Sequence, residues 1–109
     1  MVITAAQVLP LLRFEGFDGK PQPAWVQDIV RARDSDWLRM LLDFATGTKA
    51  LPRAPAREYI EFRPGPTPPA LPRAHACFNS VDLPLYTTKE QLEEKLQYAI
   101  MECSGFAFA

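Results

Sequence analysis

The chain has 109 residues, a formal charge of −1 and 48% hydrophobic against 23% charged side chains. That is the balance of one soluble folding unit of residues 1–109, with no net charge to recruit nucleic acid or a membrane surface. No apolar run approaches the ~20 residues of a bilayer span. Residues 1–6 lack the basic start and long apolar stretch of a secretion signal. Two cysteines, Cys77 and Cys103, are too few for a disulfide scaffold and suit an intracellular protein, cytoplasmic or nuclear. With His75 as the sole histidine, no four-ligand zinc set of ordinary spacing exists, and no cofactor is expected.

Thr4 and Gln7 fit a capping box, and the apolar residues after them predict a helix over 5–12, limited by Pro10. Residues 13–19, with Gly16 and Gly19, read as a turn. Trp25, Val26, Ile29 and Val30 fall at helical spacing after Pro23, which predicts a helix ending near Arg33. Asp34 or Ser35 can cap the next helix. Its apolar stripe is Trp37, Leu38, Leu41, Leu42 and Phe44, and Gly47 is its stop. So short a corner joins the two as a helical hairpin or an angled pair. Residues 49–57 read as loop, and the alternation of Glu58 to Phe62 as a strand.

Five of the eleven prolines stand at 64, 66, 68, 69 and 72. No helix or central strand accommodates them. They form a stiff surface connection, or, as the alternative, a proline-motif ligand. Ala74 to Asn79 reads as a strand with Ala74, Ala76 and Phe78 on one face and His75, Cys77 and Asn79 on the other. Thr87 and Thr88, with Glu90 and Gln91, make overlapping capping boxes for a last helix to about Glu102, with Leu92, Leu96, Ala99, Ile100 and Cys103 on its buried face. Residues 103–109 are read as a flexible apolar tail.

Cys77 is the candidate nucleophile. From the pattern it is either a reactive thiol or a small buried hydrophobe, the commoner fate of free cysteine. Cys103 reads as buried. His75 lies two strand positions from Cys77, a span of ~6.6 Å, long for a direct thiol–imidazole bond. A cysteine hydrolase would also need an orienting partner for that histidine. Asp82 and Glu58 are available, but the pattern ties neither to it.

The run Leu71-Pro72-Arg73-Ala74-His75-Ala76-Cys77-Phe78-Asn79, then Asp82-Leu83-Pro84 and Tyr86, resembles the active-site signature of HECT-type ubiquitin ligases. Phe44-Ala45-Thr46-Gly47-Thr48 with Leu51-Pro52, and the segment from Glu90 to Phe106, resemble other parts of the same carboxyl-terminal catalytic lobe in the same order. The resemblance implies an α/β (α+β) fold, a small mixed sheet packed against helices. It implies that Cys77 takes ubiquitin from a ubiquitin-conjugating enzyme as a thioester and passes it to a substrate lysine. It further implies that Phe106 matches a tail phenylalanine used in transfer. His75, from its place beside Cys77 in the pattern, is the other supporting candidate. The larger lobe that would bind the conjugating enzyme has no counterpart here, so the chain reads as a piece of a longer catalytic domain. Ala76 stands where the family usually has threonine. That departure motivates the alternative of a non-catalytic interaction module of the same fold. A cysteine hydrolase is the remaining alternative.

Overall fold

The computed structural model describes residues 2–51 and 59–104. The Gln7 side-chain oxygen accepts from the Thr4 N–H at 2.9 Å, and α1 (Ala5–Val8) begins there. The helix is shorter than expected. It passes into a 3-10 turn (Leu9–Leu11) and then a strand, β1 (Leu12–Phe14), in a stretch read as helix and turn. Three residues are too few to show a two-residue period. β1 exists because it pairs in parallel with β2 (Ile60–Pro64), Leu12 opposite Ile60 and Phe14 opposite Phe62.

Two helices follow, α2 (Gln22–Arg31) and α3 (Ser35–Thr46). The Asp34 carboxylate accepts from the Trp37 N–H at 2.9 Å. This settles which residue caps α3, because the Ser35 hydroxyl accepts from the Ile3 N–H at 2.9 Å. Gly47 ends α3 at φ 81°, the left-handed conformation that favours glycine at a helix end. Both helices pack on α4 (Lys89–Ser104), which turns back across them. Its start is held by Thr88, whose hydroxyl accepts from the Gln91 N–H at 3.1 Å.

β2 starts two residues later than Glu58 and ends on Pro64, so one proline of the rich segment does enter a strand. It is tolerated at the strand end, where Gly65 N–H takes over the ladder by donating to the Leu83 carbonyl at 2.8 Å. Glu58 and the loop residues 52–57 lie outside the described residues. The expected strand over 74–79 is instead a hairpin. β3 (Arg73–His75) stops at His75, a 3-10 turn (Ala76–Phe78) reverses the chain, and β4 (Ser80–Leu83) returns antiparallel. Asn79 makes the reversal possible. It sits at φ 51°, a conformation asparagine tolerates better than most residues. The sheet order is β1-β2-β4-β3, with β4 parallel to β2. This is the small mixed sheet with helices that the motifs imply.

The helices cover one sheet face. Ile60, Phe62, Val81 and Leu83 point into that core beside Leu38, Leu41, Leu42, Leu92, Leu96 and Ile100. Ring stacking of Phe14 on Phe62, at 5.3 Å between centroids, extends it to the edge. The register places Arg13, Glu61, Arg63, Arg73, His75, Ser80 and Asp82 on the opposite face. Among the described residues no helix is long and apolar enough to cross a membrane.

Candidate functional site

Cys77 lies at the tip of the β3–β4 hairpin, not within a strand. It is a free, exposed thiol. The backbone around it is tied at several points. Asn79 N–H donates to the Ala76 carbonyl at 3.3 Å and closes the turn. The Asn79 carbonyl accepts from the Glu61 N–H at 2.9 Å, which fastens the turn to central strand β2. On its other side the turn packs against α3. Ala76 is exposed there. Phe78, expected to share a strand face with Ala74, is 81% exposed instead, because the reversal swings it out of the sheet.

His75 is the last residue of β3 and is half-exposed. Its Nε2 lies 2.8 Å from Oδ2 of Asp82 on β4. Asp82 is the orienting partner that sequence spacing could not assign. The hairpin supplies it, by folding residues seven apart onto one face. The signal was the turn asparagine between them. Among the described residues no hydrogen bond reaches the Cys77 sulfur, so His75 and Cys77 are neighbours in the chain but not a bonded pair. Arg63 is engaged by Glu61 on β2.

Cys103 does not occupy the core as expected. It is exposed near the end of α4, which continues through Ser104. Partial desolvation and, second, the Asp43 carboxylate push its thiol pKa up, away from the nucleophilic thiolate. Cys103 shares a cleft with Asp43, Gly47, Arg73 and Ala76. The tail residues 105–109, Phe106 included, lie outside the described residues. Among the described residues no cluster of His, Cys, Asp or Glu is arranged to hold a metal.

The hairpin thus offers a thiol held out in solvent on a fixed turn, with a carboxylate-bound imidazole at its base. Such a thiol suits acyl exchange with a large partner, because access rather than enclosure governs the encounter. Comparison with protein families matches residues 3–109 to the description HECT-domain (ubiquitin-transferase). The chain is 40% identical over 102 residues to E3 ubiquitin-protein ligase UPL1 of Arabidopsis thaliana, covering 84% of this chain and 3% of that protein. It is 44% identical over 87 residues to E3 ubiquitin-protein ligase RSP5 of Chaetomium thermophilum, covering 71% of this chain and 10% of that one. Probable E3 ubiquitin-protein ligase hulA of Aspergillus terreus is 42% identical over 88 residues, covering 72% of this chain and 11% of that protein.

Proposed function

Because the chain belongs to the HECT-domain (ubiquitin-transferase) family, we propose that Cys77 carries ubiquitin as a thioester within a longer ubiquitin ligase. The exposed position of Cys77 on an anchored turn is the observation that supports this reading. The Cys77 sulfur attacks the thioester carbonyl between ubiquitin and a ubiquitin-conjugating enzyme. The carbon–sulfur bond to that enzyme breaks, its cysteine leaves as thiolate, and the Cys77 proton balances the charge. A lysine amine of a protein substrate then takes the acyl group and regenerates the Cys77 thiol. Exchange between thioesters of similar energy draws most of its rate from holding the partners together.

Ubiquitin, the conjugating enzyme and the substrate are the partners of this reading. Cytoplasmic or nuclear residence goes with it. The tail phenylalanine Phe106 is assigned to the second step. A hydrolase reading gains an orienting carboxylate in Asp82, but it lacks a thiol–imidazole hydrogen bond.

The test is a non-reducing gel of a complete HECT domain carrying this chain, incubated with ubiquitin, its activating enzyme and a conjugating enzyme. A thiol-sensitive ubiquitin adduct is expected with the wild type and absent in Cys77→Ala. An adduct that persists in the variant overturns the assignment.

A further inference from the structure

The face of the sheet left bare by the helices is crowded with charge, and its pairing is selective. Asp82 stands opposite Arg73 on one side and Arg63 on the other in the strand register. Even so, the hydrogen bond of its carboxylate goes to neither arginine. It goes diagonally to Nε2 of His75 at 2.8 Å. Arg63 is taken up by Glu61. Ser80 lies directly opposite His75 and completes the small cleft that Glu61, Arg63, Phe78 and Asp82 form around the ring. Asp43 of α3 lines a separate cleft together with Arg73.

A carboxylate only accepts hydrogen bonds. The neutral imidazole therefore carries its proton on Nε2, and the lone pair is left on Nδ1. Among the described residues nothing bonds to Nδ1, and nothing bonds to the Cys77 sulfur. The ring is oriented and solvent-facing, 41% exposed at the side chain, yet its lone pair is not committed to the thiol.

We infer that Asp82 is a positioning residue that holds His75 as the proton acceptor for the amine that consumes the Cys77 thioester. The inference rests on the thioester reading and assigns the second half of that reaction. A lysine side chain arrives as an ammonium, which has no lone pair to attack with. It gives one proton to Nδ1 of His75. The freed lone pair attacks the thioester carbonyl carbon, and the carbon–sulfur bond breaks with its electrons passing to Sγ of Cys77. The second amine proton leaves the tetrahedral intermediate for that sulfur. The products are the amide, the Cys77 thiol and an imidazolium, which passes its proton to solvent. Loading of Cys77 by another thioester does not pass through this base.

The experiment uses a complete HECT domain carrying this chain. It is charged with ubiquitin on Cys77 and then discharged onto free lysine, or onto hydroxylamine, an amine that is already neutral at pH 7. Wild type, Asp82→Asn, Asp82→Glu and His75→Gln are compared across pH. Discharge to lysine is expected to fall about 10-fold or more in Asp82→Asn and about 100-fold in His75→Gln, the profile of the latter moving to higher pH because the ammonium must then lose its proton to solvent. Loading and discharge to hydroxylamine are expected to keep their rates, and Asp82→Glu to recover part of the loss. Equal losses on both amines, slower loading, or unchanged discharge to lysine overturns the proposal. A wild-type domain that forms no adduct on Cys77 defeats the thioester reading itself, and this is seen before any discharge begins.

Discussion

Gly47 faces Ala76 across the join between α3 and the thiol-bearing turn: a Cβ placed on Gly47 would sit 3.6 Å from the methyl of Ala76. That distance is ordinary packing, so space does not demand the glycine. Its φ of 81° does. Gly47→Ala is expected to destabilise the fold by about 1–2 kcal/mol through left-handed strain, seen as a lower urea midpoint with an unchanged slope.

The first turn of α2 carries a buried polar contact. Gln22 is 5% exposed and donates from Nε2 to the Tyr86 carbonyl at 2.9 Å, joining α2 to the segment before α4. Gln22→Ala leaves that carbonyl without this donor and is expected to lower stability by about 1–3 kcal/mol. Equilibrium denaturation checks the value.

Tyr86 is fully buried, and its hydroxyl donates to the Ala70 carbonyl. Burial pushes its pKa from the usual 10.0 up to about 12. Below pH 10 the phenol is neutral in both folded and unfolded chains, and the full contribution is present. As pH rises from about 10 to about 12, the unfolded chain releases the proton while the native chain retains it, so stability falls. Denaturation midpoints over that window should decline more steeply for wild type than for Tyr86→Phe. Parallel declines contradict the assignment.

Phe62 is fully buried on central strand β2, stacked on Phe14. Phe62→Ala is expected to cost about 3–5 kcal/mol, from lost burial and the cavity left behind. Equilibrium denaturation in urea checks the value, and a midpoint equal to that of the wild type contradicts it.

Phe106→Ala follows from the proposed function. The variant is expected to form the Cys77 adduct normally and to transfer ubiquitin to lysine more slowly. Gel densitometry of the two steps distinguishes them, and equal transfer rates remove Phe106 from the mechanism.

Much of the helical framework was legible in the sequence, because its signals are local. Asp34, Gly47 and Thr88 mark helix ends through hydrogen bonds within a few residues or through their own φ. The strands were harder. β1 and β3 each span three residues and depend on partners far along the chain. The segment from Ala74 to Asn79 alternates small and larger side chains like one strand, yet Asn79 turns it into a hairpin. The candidate nucleophile was legible as a residue, and its exposure was not. Asp82 was visible as an acid, but its tie to His75 required the hairpin register.

The backbone bond between Glu61 and Asn79 joins parts of the chain that must find each other late. A chain emerging from the ribosome makes residue 61 well before residue 79, and Cys77 appears between them. Until that parallel pairing forms, the cysteine is an ordinary side chain on a wandering segment. The placement of that thiol at an anchored hairpin tip therefore waits on the completion of the sheet, and an unfinished copy has the atom without its address.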